Sequence, residues 1–244
     1  MQYAHFSFPL NVYAHAITKE EGDLQYLHYG FNMQQGIFQA QQNSTDFIMS
    51  KLPAAPADII EVGIGVGTTA SQLVKAGYHY TGVVPDPAQI AYCRNLKLHL
   101  IESRFEDMPQ EALYDVILFQ ESAQYIPTKA LLEKAQTLLK QTGRMLFLDE
   151  VATESIGGLE PLANQFGFQV VNQQDFTFDA APSLSYLIEI IYKHRQSLLQ
   201  DLQLSNLQLS KLLYQLEMRK QAYKNKLFSY MFFHLTLKNS DSLE

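Results

Sequence analysis

Between residues 59 and 70 the chain reads IIEVGIGVGTTA: an apolar run, three glycines at every second position, then a helix-forming stretch. Few folds accommodate that order. The apolar run reads as a strand covered on both faces, as in a parallel sheet. Gly63, Gly65 and Gly67 permit a tight turn and a close approach of a ligand to the backbone. The helix that follows begins with unpaired N–H groups. The chain then repeats the alternation. Strands are expected at 57–62, 78–84, 98–101, 114–119 and 144–149, and helices at 68–76, 87–96 and 128–139. Asp86-Pro87 makes a good cap and first-turn pair for the second of these helices. Such βαβ units build a parallel sheet with right-handed crossovers.

The flanks differ. In residues 1–56, Thr18-Lys19-Glu20-Glu21 reads as a capped helix start, and a further helix over 34–52 ends at Pro53 and Pro56. Beyond Gly157 a helix leads to a strand at 168–171. Two amphipathic helices follow, at 183–202 and 204–226. Their leucines 198, 202, 209, 212, 213 and 216 form stripes suited to packing on the domain, on each other, or between subunits of a homodimer. The closing LFSYMFFHLTL is strand-prone. The expected organisation is a helical N-terminal cap or lid over 1–56, an α/β core over 57–182, and helices with a final strand over 183–244.

Charge and composition narrow the partners. The net charge of −7, with no basic cluster, argues against a nucleic-acid partner. A single cysteine, Cys93, excludes an internal disulfide and a cysteine-rich zinc site, and no metal is expected. The opening MQYAHFSFPLNVYAHA has no basic head followed by an apolar core, and no apolar run approaches the ~20 residues of a membrane span. A cytoplasmic protein without a membrane partner is expected.

No Gly-Lys-Ser/Thr ending follows the glycine loop, which excludes a P-loop. Gly65-x-Gly67-x-x-Ala70 satisfies the loose dinucleotide pattern, so the glycines alone leave an NAD-dependent oxidoreductase open. Glu61 favours another ligand. Two residues before the first glycine, a carboxylate suits a cofactor bearing positive charge and opposes a pyrophosphate. Its alternative role is to cap the loop's own N–H groups.

Residues 59–67 resemble the first motif of class I S-adenosylmethionine-dependent methyltransferases: two apolar residues, an acid, an apolar residue, then G-x-G-x-G. TGVVPDPAQIAYCR, RFEDMP, YDVILFQESAQYI and GRMLFLDE resemble the later motifs of that family in order, and APSLSYLIEIIYKHR its small-molecule members in bacteria. The resemblance implies a Rossmann-like, seven-stranded, mostly parallel sheet with the last strand antiparallel. It implies S-adenosyl-L-methionine as cofactor and S-adenosyl-L-homocysteine as product. Glu61, Gly63 and Gly65 would surround the methionyl end, and Gly67 would be a further cofactor-binding glycine. Pro85, Phe105 and Glu106 would border the adenine, and Gln120 would lie near the sulfonium.

One family feature is missing. Val84 stands where an acid grips the ribose hydroxyls, through charge-assisted hydrogen bonds worth roughly 1.5–3 kcal/mol each. Asp86 is a candidate to cover for it, with helix capping as its alternative role.

Methyl transfer needs in-line positioning and exclusion of water, and a base only where the acceptor arrives protonated. Glu121, His28 and His194 are the candidate bases. In YLHYGF, His28 and Tyr29 belong to an aromatic segment resembling the lid of small-molecule methyltransferases. FQES departs from the Asn/Asp-Pro-Pro-aromatic signature of amine methylation on nucleic acid or glutamine. The expected partner is a small-molecule methyl acceptor, partly apolar, modified at O, N or C. A methyltransferase-fold protein that does not methylate, acting as a binding protein or a cyclase-type enzyme, is the alternative that Val84 motivates. The oxidoreductase reading has no Tyr-x-x-x-Lys pair behind it.

Overall fold

The computed structural model describes residues 2–110 and 112–238. Seven strands, β1 (Asp58–Val62), β2 (His79–Val84), β3 (Leu100–Glu102), β4 (Tyr114–Gln120), β5 (Leu139–Ala152), β6 (Phe168–Asp175) and β7 (Phe228–Leu237), form one sheet. Its order is β3-β2-β1-β4-β5-β7-β6. Every pairing is parallel except those of β7, which runs antiparallel to both β5 and β6. The last six residues of the expected third segment lie outside the described residues.

Alternation along the strands assigns each side chain to a face. Val116 and Leu118 of β4 point into one core, with Ile59, Leu146 and Leu148 from neighbouring strands. Ile117 and Phe119 point into the other, with Ile60, Met145 and Phe147. This explains why VILF is apolar throughout: both faces of β4 are covered. The first face carries α1 (Leu10–Glu21), α2 (Ile37–Met49), α3 (Thr68–Lys75), α4 (Pro87–Cys93), α7 (Thr177–Lys193), α8 (Arg195–Asp201) and α9 (Asn206–Lys224). The second carries α5 (Thr128–Leu138) and α6 (Ile156–Gln165).

Three expectations need correction. Residues 18–21 close α1 instead of opening a helix: Gly22 takes a left-handed φ of 80° and its N–H bonds back to the Thr18 carbonyl. The helix begins at Leu10 because Val12, Ala14, Ala16 and Ile17 are buried against the core. The helix expected from 183 begins at Thr177 and contains Pro182, so it crosses the expected division at 182/183. Buried Phe176, stacked on Phe31 at 4.4 Å, and buried Ala180 anchor that early start. The same stretch also breaks at His194, giving α7 and α8. The leucine stripe of α9 (Leu209, Leu212, Leu213 and Leu216) is buried within the chain itself. Among the described residues no helix is long and apolar enough to cross a membrane.

Candidate active site

The carboxyl ends of β1, β2 and β4, where ligands collect in open parallel sheets, open into a cavity of about 420 Å³. Its floor is the loop after β1. Gly63 there has φ 77° and donates its N–H to the Val83 carbonyl at 2.8 Å, and an added Cβ would stand 2.7 Å from that of Ser122. Gly65, at φ 54°, faces open space, with nothing within 4 Å of an added Cβ. Gly67 does not line the cavity. It caps α3 at φ 81°, and a Cβ would meet Leu96 at 2.6 Å.

Glu61 is 2% exposed at the end of β1. Its Oε2 accepts the Tyr80 hydroxyl at 2.6 Å, and no described group donates to its Oε1. Burial raises its pKa to about 7, against the lowering effect of Tyr80. The loop stands on this carboxylate and carries no cation, which suits a positively charged ligand and opposes a phosphate. The residues present therefore fit S-adenosylmethionine.

The same end of the cavity is lined by Val84, Pro85, Asp86, Phe105, Glu106 and Gln120. Val84 is 1% exposed. Asp86 caps α4: its Oδ1 accepts the Ala88 N–H and its Oδ2 the Ser7 N–H, both at 2.9 Å. Both oxygens thus already hold backbone, one of them fastening the N-terminal segment. Phe105 is buried edge-on against Phe119. Glu106 pairs with Arg104 at 3.0 Å. Gln120 is held by Ser44 of α2 at 3.2 Å and by Thr69 of α3 at 3.4 Å.

Glu121 begins the other end. It has φ 60°, in the left-handed region that non-glycine residues rarely occupy. That turn brings its Oε1 to the Tyr29 N–H and to the Tyr230 hydroxyl, the latter at 2.6 Å. Burial raises its pKa to about 8, opposed by those two donors and aided by the Asp149 and Glu150 carboxylates. Around it Tyr13, Tyr29, Tyr125 and Tyr230 line the cavity with Gln124, Glu150 and Arg219. Glu150 and Arg219 form an ion pair at 3.0 Å.

His28 also lines the cavity, but both ring nitrogens are engaged, Nδ1 with the Tyr29 carbonyl at 2.8 Å and Nε2 with Thr45 at 3.2 Å. Burial lowers its pKa to about 4, so the ring is neutral and fastens the 26–31 segment to α2. His194 lies elsewhere, bonded to Glu20 at 2.7 Å where α7 meets α8.

Sequence reasoning missed Tyr13, Gln124, Tyr125, Glu150, Arg219 and Tyr230. They come from five separated segments, and the only local signal among them is the acidic pair Asp149-Glu150 ending an apolar strand.

A family described as "Methyltransferase domain" matches residues 60–147, the part of the chain from β1 into β5. The ubiquinone biosynthesis O-methyltransferase of Xylella fastidiosa (strain 9a5c) is 28% identical over 117 residues, which cover 43% of this chain and 46% of that protein. The match thus spans less than half of that relative's length. Among solved structures, the [4+2]-cyclase SpnF superposes with a TM-score of 0.79 at 13% identity, covering 93% of each chain. The mycolic acid cyclopropane synthase CmaA1, solved with S-adenosylhomocysteine, superposes with a TM-score of 0.76 at 14% identity, covering 96% of this chain and 93% of its own. The oxidoreductase alternative gives way to the matched family. The glycine loop and the strand order agree with that match: residues 60–147 match a methyltransferase domain, set in a fold of the class I S-adenosylmethionine-dependent type.

Proposed function

We propose that the chain transfers a methyl group from S-adenosylmethionine to O, N or C of a small molecule. One observation carries this reading: a single cavity joins the glycine loop and buried Glu61 to a wall of tyrosines around Glu121. When bound, the cofactor supplies a methyl group on a positively charged sulfur. Glu61 holds the cationic methionyl arm, Phe105 and Pro85 border the adenine, and Gln120, locked by two helices, faces the reacting end. His28 and Tyr29 keep the lid segment closed over the site. Glu121 receives the proton of a hydroxyl or amine acceptor, and its raised pKa suits that exchange near neutral pH. The tyrosines exclude water and orient the acceptor.

The test is transfer of tritium from methyl-labelled S-adenosylmethionine to a panel of phenols, alcohols and amines, with products identified by mass. Stoichiometric labelled product supports the reading. Tight cofactor binding with no transfer to any acceptor class, alongside conversion of an acceptor without methylation, would replace it with the second reading, a cyclase-type enzyme on the same fold. Val84 in place of a ribose-gripping acid is the observation that favours that second reading.

A further inference from the structure

The sheet face covered by α5 and α6 holds a second cavity, of about 610 Å³. Its walls are mostly hydrocarbon, with Leu131 and Leu132 of α5, Phe147 of β5, Leu159 and Leu162 of α6, and Phe233 of β7, and carry Thr128, Asp149 and Ser155 among them. It meets the first cavity at Gln124, Ile126, Glu150 and Arg219, which line both. Glu150 is the acid at this seam. Its side chain is 4% exposed and its Oε1 pairs with Arg219 Nε, while Oε2 and the nearby Tyr223 hydroxyl are both buried and neither completes a hydrogen bond. A buried carboxylate oxygen with nothing to accept is costly unless a ligand supplies a donor.

Size points the same way. The first cavity, at about 420 Å³, sits near the low end of the ~300–1,000 Å³ that accommodates one drug-sized ligand. A nucleoside with an amino-acid arm fills most of it. A larger acceptor needs further space, and the second cavity adjoins the first at the Glu121 end.

We propose that the second cavity is a tail site for the acceptor: an amphiphile with a hydrocarbon chain between α5, α6 and the sheet, and a hydroxyl or amino head donating to Glu150 Oε2 at the seam. Calling the occupant the acceptor rests on the methyltransferase reading. The cavity's preference for hydrocarbon does not.

The experiment is calorimetry with 4-alkylphenols from ethyl to octyl, with and without S-adenosylhomocysteine. Each added methylene is expected to strengthen binding ~4-fold until the cavity is full. Gly158 of α6 lines the cavity, and an added Cβ there meets nothing within 4 Å, so Gly158→Phe fills space while favouring the helix. It should weaken octylphenol at least 10-fold and leave ethylphenol and S-adenosylhomocysteine within 2-fold. Leu159→Trp should do the same by an independent route. Gly157→Phe, at a position that does not line the cavity and is equally open, should change nothing. Affinity independent of chain length, or cavity-filling variants that bind octylphenol normally, would overturn the tail site even where S-adenosylhomocysteine binds. Chain-length dependence without any S-adenosylhomocysteine binding would support the site and count against the methyltransferase reading.

Discussion

Glu61 and Val84 make opposite contributions to the cofactor end. Glu61 was readable in the sequence because it stands two residues before the loop's first glycine. Its burial, which makes it sensitive to pH, was not. With its pKa raised to about 7, it is partly protonated at pH 6.5, and a cation beside it favours the ionised form. Cofactor binding should therefore release a proton at pH 6.5, and affinity should rise between pH 6 and 8. Titrations at that pH in phosphate and imidazole, which differ in ionisation enthalpy, measure that proton. Glu61→Gln should weaken binding ~10–100-fold and abolish the release. Val84→Asp is expected to tighten cofactor binding about 10-fold by restoring a hydrogen-bonded ribose grip. Unchanged affinity would mean that the hydroxyls are already satisfied. Asp86 shows a limit of local reading: its position in sequence allowed either a ribose contact or a cap, and in the fold both oxygens hold backbone N–H groups. Glu150 and Arg219 are 69 residues apart in the chain, so nothing local to either could announce their pairing.

Elements with regular apolar periods were read well. β4 and the α9 stripe were expected where they are found, because burial on one or both faces forces a pattern on the residues. The failures occurred where tertiary packing overrode a local cue. Lys19, Glu20 and Glu21 look like a helix's acidic first turn, yet they follow a buried stretch, and Lys19 and Glu20 pair with Asp201 and Lys193 on neighbouring helices. Pro182 reads as a boundary, yet it sits in the second turn of α7, where docking of Phe176 and Ala180 outweighs one missing N–H. The packing of α9 gives a direct test. Leu213 is 2% exposed in the core that supports Tyr230, so Leu213→Ala should cost about 2–5 kcal/mol in urea unfolding. A loss under 1 kcal/mol would show that the stripe does not bear on the core.

The whole molecule places four carboxylates, Glu61, Glu121, Asp149 and Glu150, around one functional end of the sheet. Glu61, Glu121 and Asp149 have pKa values raised by burial to about 7, 8 and 7. The folded chain therefore holds protons that the unfolded chain has released, and stability falls as pH rises toward these values. His28, lowered to about 4, acts in the opposite sense only below its unfolded value of 6.5. Between pH 6.5 and 8.5 the net expectation is a loss of about 2–4 kcal/mol in urea unfolding. Glu121→Gln should remove about half of it. This concentration of acid came from topology: β1, β4 and β5 lie side by side, and Glu61, Glu121 and Asp149 sit near or just past their carboxyl ends. Calorimetry with S-adenosylmethionine and S-adenosylhomocysteine tests most directly whether the cavity is a cofactor site. Both ligands are expected to bind one-to-one to the folded chain, with binding lost or strongly weakened in Glu61→Gln. Absence of binding at millimolar ligand, with the protein folded, would contradict it.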